Sequence, residues 1–164
     1  MSKRETQTFT STRFGELTVA GEDIIFFPKG ILGFEECRRY CVISSPDYAP
    51  FAHLQSLDEP NLAFVVVNPL LFFPQYRVEV DPREVAELEA DSASDIVTWG
   101  IVTIPEDYRR MSVNLQGPIL LNEKNRRAKQ VVLAHSAYGT CHYIAETLEE
   151  TEAQPVGEKA AAGV

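Results

Sequence analysis

Apolar residues recur along the chain in short runs, and a turn-former closes almost every one. Glu16–Ala20, Asp23–Phe27, Tyr40–Ser44 and Phe51–Ser56 are set apart by Gly21, Pro28, Gly30, Gly33, Pro46 and Pro50. This is the punctuation of short strands joined by turns. Ala63–Val67 reads Ala-Phe-Val-Val-Val. A continuously apolar, β-branched run predicts a central strand buried on both faces. Gln75–Val80 alternates, with Tyr76, Val78 and Val80 on one face and Gln75, Arg77 and Glu79 on the other, which predicts a half-buried antiparallel strand. Asp95–Ile104 is long and mostly apolar, with Gly100 marking a bend or bulge. Met111–Leu115 and Ile119–Asn122 flank Gly117 and Pro118, and Lys129–Ala134 completes the set. Val65 and Trp99 lie mid-run and are expected to be buried in one core. The pattern predicts a mostly antiparallel β domain.

One helix has good start signals. Asp81 can cap it, Pro82 suits its first position, and Glu84 completes a capping box ahead of a short body, Glu84–Ala90. A second helical stretch is expected over His142–Glu150. After Thr151 the residues are small, polar and interrupted by Pro155 and Gly157, a composition that offsets little ordering entropy. The expected division is a β domain over 1–143 and an acidic tail over 144–164, partly helical and then disordered. At 164 residues, 45% apolar and 24% charged, the chain is one ordinary globular domain.

Charge changes the picture more than composition does. The net charge is −9, so phosphate backbones are repelled and basic proteins are the natural partners. Residues 41–107 carry twelve acids and two bases, whereas 108–134 carry six bases and one acid. The opening residues contain no apolar run of the signal-peptide kind. Leu62–Val67 and Val131–Ala134, the longest apolar stretches, fall far short of the ~20 residues of a membrane span. With three cysteines and no export signal, the expectation is a cytoplasmic protein with reduced thiols.

Candidate chemistry is sparse. The sequence has no phosphate loop, dinucleotide fingerprint, nucleophile elbow or zinc-protease motif. His53, inside an apolar run, reads as a hydrogen-bonded strand histidine rather than a catalyst. Cys37, Cys41, Cys141 and His142 could supply a zinc set, but the spacing is loose and packed free thiols are the simpler reading. Arg109, Arg110, Lys124, Arg126, Arg127 and Lys129 form a basic strip in sequence without interleaved aromatics. Edge protection of strands explains it better than RNA binding does. Pro69–Pro74, apolar and bounded by prolines, is either a core plug or an exposed hydrophobic patch.

The chain resembles the FliW family of flagellar assembly factors. The matching segments are Thr12–Glu16, Ile25–Glu35, Leu54–Leu57, Pro60–Pro69, Leu71–Tyr76, Ile101–Pro105 and Met111–Ile119, followed by Asn122 and Gln130–Leu133. Together they cover roughly residues 10–140 in one order. Departures are Gly117 in place of the family's usual alanine, Phe51-Ala52-His53 ahead of the Leu54–Leu57 segment, and the extension after Tyr143. The resemblance implies a single compact antiparallel β barrel-like domain with one or two short helices, no enzymatic activity and no cofactor. It implies binding to CsrA, an RNA-binding translational regulator, which relieves repression of flagellin translation, and binding to flagellin as a chaperone. Direct nucleic-acid or membrane partners are not expected. The candidate partner-binding residues are the loop acids Asp58, Glu59, Glu106 and Asp107, with Asn68, Phe72, Phe73 and Tyr76 of the proline-bounded segment. The rival readings are a small RNA-binding barrel using residues 109–129 and a metal-dependent hydrolase.

Overall fold

Ten strands form two sheets in a computed structural model that describes residues 5–134 and 136–144. The expected tail, and most of the helix expected over His142–Glu150, lie outside the described residues; His142–Tyr143 themselves form a short strand. The strands are β1 (Thr6–Ser11), β2 (Gly15–Ala20), β3 (Ile25–Phe26), β4 (Arg39–Ser44), β5 (Ala52–Ser56), β6 (Ala63–Val67), β7 (Ile96–Thr103), β8 (Ser112–Asn122), β9 (Ala128–Gln130) and β10 (His142–Tyr143). The large sheet runs β10-β8-β7-β6-β5-β4-β3, with β9 also on β8, and every pairing is antiparallel. Its far edges almost meet. The Phe26 N–H donates to the Arg126 carbonyl at 2.9 Å, and Phe26 bridges Arg127. The sheet is therefore a nearly closed barrel.

The continuous apolar run of β6 has the two-sided burial its composition predicts. Phe64 and Val66 pack with Ile25, Phe27, Tyr40, Leu54, Ile119 and Leu121 in one cluster. Val65 and Val67 pack with Val102, Val113, Leu115 and Leu120 in another. The second cluster is roofed by residues 69–90, which leave β6 and cross the sheet. Val65 and Trp99 are half-buried and belong to these two different clusters, not to one core.

The strand pattern is corrected at three further places. Gln75–Val80 is not a strand. Its alternation is real, since Tyr76, Val78 and Val80 face the second cluster, but the segment lies across a sheet face and pairs with no strand. Met111–Leu115 and Ile119–Asn122 are parts of one strand, β8. The register jumps from Trp99↔Ile119 to Ile101↔Asn114, so Pro118 falls where the β7 ladder is interrupted and its missing N–H costs no ladder bond. Asn114 Oδ1 accepts the Gln116 and Gly117 N–H groups inside that bulge. Gly100 fits because a Cβ there would come within 2.5 Å of Val113 Cγ2. Finally, Asp23–Phe27 yields only a two-residue strand, because Gly21–Asp23 turn as a 3-10 segment.

The hairpin β1–β2 forms the second sheet. Phe9, Leu17 and Val19 lay it on Cys41, Ile43 and Leu57, and Ser11 Oγ donates to Gln55 Oε1 at 2.8 Å. Helix α1 (Pro82–Ala86) begins as expected, with Asp81 accepting from the Arg83 N–H. Glu84 does not close the capping box. It accepts from Lys129 Nζ at 2.9 Å.

Candidate partner-binding surface

The loop acids come together at one end of the barrel. The turn after β5 carries Asp58 and Glu59 and leads into β6, while Glu106 and Asp107 follow the end of β7. Because β6 and β7 are antiparallel neighbours, both loops leave the sheet at the same end. Ile104 and Tyr108 flank the second acid pair and are 51% and 64% exposed. Phe34, 42% exposed, lies edge-on to Phe64 near the start of β6. The result is a surface that mixes these acids, two of them paired with Arg39 and Arg109, with apolar side chains, a mixture suited to a protein partner. Sequence reasoning did not single out Phe34, Ile104 or Tyr108; the available signal was an apolar residue on each side of an acidic Pro-Glu-Asp turn.

The four acids are not equivalent. Asp58 Oδ2 accepts the main-chain N–H groups of Arg38 and Arg39, each at 3.0 Å, and Oδ1 accepts Arg39 Nε and Nη2 at 2.9 and 2.8 Å. Burial opposes its charge, but these bonds and the Arg39 charge prevail and hold the carboxyl below its ordinary range. Asp58 is therefore a structural clamp between the β5–β6 turn and β4. Glu59 only accepts from the Asn61 N–H. Asp107 accepts from the Arg109 N–H and guanidinium, and these bonds lower its pKa. Glu106 is exposed.

The other four candidates stand apart, beyond the opposite end of β6. Asn68 is exposed and caps a 3-10 turn by accepting the Leu70 N–H. Phe72 and Tyr76 are buried in the second cluster. The Tyr76 hydroxyl donates to the Leu115 carbonyl at 2.7 Å, and burial raises its pKa. Phe73 is half-buried against the His142 ring. The proline-bounded segment is thus chiefly a core plug.

The basic strip of the sequence is not a strip in space. Arg109 pairs with Asp107, Lys124 with Asp95, and Arg127 lies over the Phe26 ring. Arg110 meets the Tyr143 ring and hydroxyl. Lys129 is buried. Burial disfavours its charge, but Glu84 and Glu87, at 2.9 and 3.1 Å, outweigh that and raise its pKa. Of these bases only Arg126 lacks an ion-pair or ring partner among the described residues, and one such base makes no continuous track for phosphates.

His53 departs from expectation. Its Nδ1 is buried without a hydrogen-bond partner, and the ring sits edge-on between Phe14 and Tyr48. Burial first, and then the Arg13 charge, lower its pKa. Cys37 is half-buried, Cys41 buried and Cys141 exposed, and among the described residues no three potential ligands converge for a metal. No described helix is long and apolar enough to cross a membrane.

Comparison with known proteins decides the family. A family model described as FliW protein matches residues 8–144. The chain belongs to the FliW family. The flagellar assembly factor FliW of Alkaliphilus metalliredigens is 39% identical over 142 residues, covering 86% of this chain and 88% of that protein. The flagellar assembly factor FliW of Treponema pallidum is 37% identical over 150 residues, covering 92% and 97%. A crystal structure of the flagellar assembly factor FliW superposes with a TM-score of 0.79 at 30% identity, over 84% of this chain and 96% of that one. The mostly β, barrel-like fold is thus that of the FliW family.

Proposed function

We propose that this chain is a non-enzymatic flagellar assembly factor that acts in the cytoplasm by binding proteins. It captures the RNA-binding regulator CsrA, relieves repression of flagellin translation, and binds flagellin as a chaperone. The observation that carries this reading is family membership across residues 8–144. The acid-and-apolar end of the barrel supports it. A chain of net charge −9 is steered to a basic RNA-binding surface and repels RNA once docked. Glu59, Glu106 and Asp107 form the docking acids, with Ile104 and Tyr108 as apolar contacts, and Asp58 shapes the turn that presents Glu59. Asn68 and the exposed part of Phe73 lie at the far end of β6 and serve the second partner, while Phe72 and Tyr76 support that segment from beneath. Mutually exclusive occupancy would make flagellin a switch that frees CsrA.

The test is a gel shift with purified CsrA and a flagellin leader RNA. Adding the chain should release the RNA, and adding flagellin should restore the CsrA–RNA band. An unchanged CsrA–RNA band at saturating chain rules the reading out. A shift of the RNA by the chain alone would favour the RNA-binding alternative.

A further inference from the structure

A groove of about 370 Å³ runs between β2 and β4 and is lined by Leu17, Thr18, Val19 and Ala20 on one side and Cys41, Val42 and Ile43 on the other. Leu17, Val19, Cys41 and Ile43 pack side chain to side chain at its base; consecutive strand residues point to opposite faces, so the alternate residues of each run border the groove along its backbone edge. Hydrogen-bond parity agrees. The Arg39 carbonyl accepts from Leu57 on the β5 side, and the Arg38 carbonyl accepts from Phe27 on the β3 side. Alternation then turns Cys41 and Ile43 toward β5 and leaves the N–H and C=O of Val42 and Ser44 facing outward. β3 covers only Arg39 and Tyr40, because the chain before it bends into the Gly21–Asp23 turn. In the hairpin, the Gly21 N–H donates to the Glu5 carbonyl. With the register Gln7↔Val19 and Phe9↔Leu17, the main-chain groups of Thr18 and Ala20 also face outward. Two unpaired strand edges thus flank one slot.

Arg126 also lines this slot. It adopts a left-handed backbone, φ 62°, and its Nε–H is buried without a hydrogen-bond partner. Among the described residues no carboxylate reaches its guanidinium, and Asp23, on the same wall, does not. An unpaired guanidinium in a protein of net charge −9 is a selective contact for a carboxylate.

We propose that this slot is a strand-addition site for an extended segment of a protein partner that sets a carboxylate against Arg126. The open edges supply main-chain hydrogen bonds and Arg126 supplies selectivity. The site is separate from the acidic end of the barrel and does not depend on the CsrA reading.

The test uses the full chain, labelled for amide NMR, and two acetylated, amidated heptapeptides: Thr-Val-Thr-Glu-Thr-Val-Thr and its Gln counterpart. In the free protein the Val42 and Ser44 amides should exchange rapidly. The Glu peptide should protect the amides of Val42 and Ser44 by pairing with the β4 edge, shift those of Thr18 and Ala20 across the slot, and bind about fivefold or more tightly than the Gln peptide. Arg126→Gln should erase that preference, and Ser44→Pro, which removes one outward N–H without touching the barrel core, should weaken both peptides. The proposal is overturned by slow Val42 exchange in the free protein, by no perturbation at these amides, or by equal affinity for the two peptides. Concentration-dependent protection of the same amides without peptide would assign the slot to a second copy of the chain and overturn it equally.

Discussion

Replacing Asp58 separates a clamp from a docking acid. Its carboxylate accepts four N–H donors from Arg38 and Arg39 at 2.8–3.0 Å. Hydrogen bonds to a charged group contribute about 1.5–3 kcal/mol each when well buried, and far less where water competes. The Asp58 side chain is 25% exposed and that of Arg39 45%, so water replaces most of the lost partners. We expect Asp58→Ala to cost about 1.5–2.5 kcal/mol in total. That corresponds to a melting temperature lower by about 4–8 °C for a domain of this size. Asp58→Asn keeps one acceptor oxygen and should cost about half as much. The pH dependence has a definite sign. The folded carboxyl pKa is depressed, so the charged form's contribution is complete above the unfolded value near 4 and is lost as pH falls through the lower folded value. Denaturant unfolding of wild type and Asp58→Asn should therefore give a constant difference from about pH 8 to 5 that shrinks below about pH 4. A difference below about 0.5 kcal/mol at neutral pH, or one that persists undiminished into strong acid, would refute the clamp. A cycle with Arg39→Ala should show coupling, since the two residues are in contact.

The remaining expectations follow the same physics. Tyr76→Phe should cost about 1–3 kcal/mol by leaving the buried Leu115 carbonyl without its donor; denaturant titration checks it, and a stability equal to wild type contradicts the plug. Gly30→Ala should lower stability by about 1 kcal/mol or more, because φ is +66° and the new Cβ would meet Glu35 Cα at 2.5 Å; calorimetry at neutral pH decides. Cys41→Ser should cost about 1–3 kcal/mol for a hydroxyl in an apolar site, whereas Cys141→Ser, at an exposed position, should change neither melting nor binding. A chelator should leave the melting temperature unchanged, and a drop would revive the Cys–His zinc set.

Local signals carried much of the fold. The unbroken Ala63–Val67 run announced two-sided burial, Gly100 announced the bulge, and Asp81-Pro82 announced the start of α1. What remained hidden depended on long-range partners. β1 reads Thr-Gln-Thr-Phe-Thr-Ser, too polar to stand out, and is a strand because β2 pairs with it along its whole length. Pro118 looked like a break in β8, and only the offset of β7 makes it harmless. Alternation in Gln75–Val80 reported burial correctly but could not say whether a neighbouring strand existed. At the surface, charge density located the acids, yet the sequence could not show that Asp58 is held by Arg39. Nor could it show that the basic strip, Arg126 apart, is spent on Asp107, Asp95, Glu84, Glu87 and two aromatic rings.

The docking role proposed for the acidic end, with CsrA as the proposed partner, is tested most directly by the association rate of the two proteins. Stopped-flow measurements across ionic strength would compare wild type with a Glu59→Lys, Glu106→Lys, Asp107→Lys triple variant, after thermal unfolding confirms that the variant is folded. We expect the variant to associate at least about tenfold more slowly at low salt, with a flattened salt dependence, because steering charges act mainly on the on-rate. An association rate equal to wild type at low ionic strength would place the CsrA contact elsewhere and contradict the account.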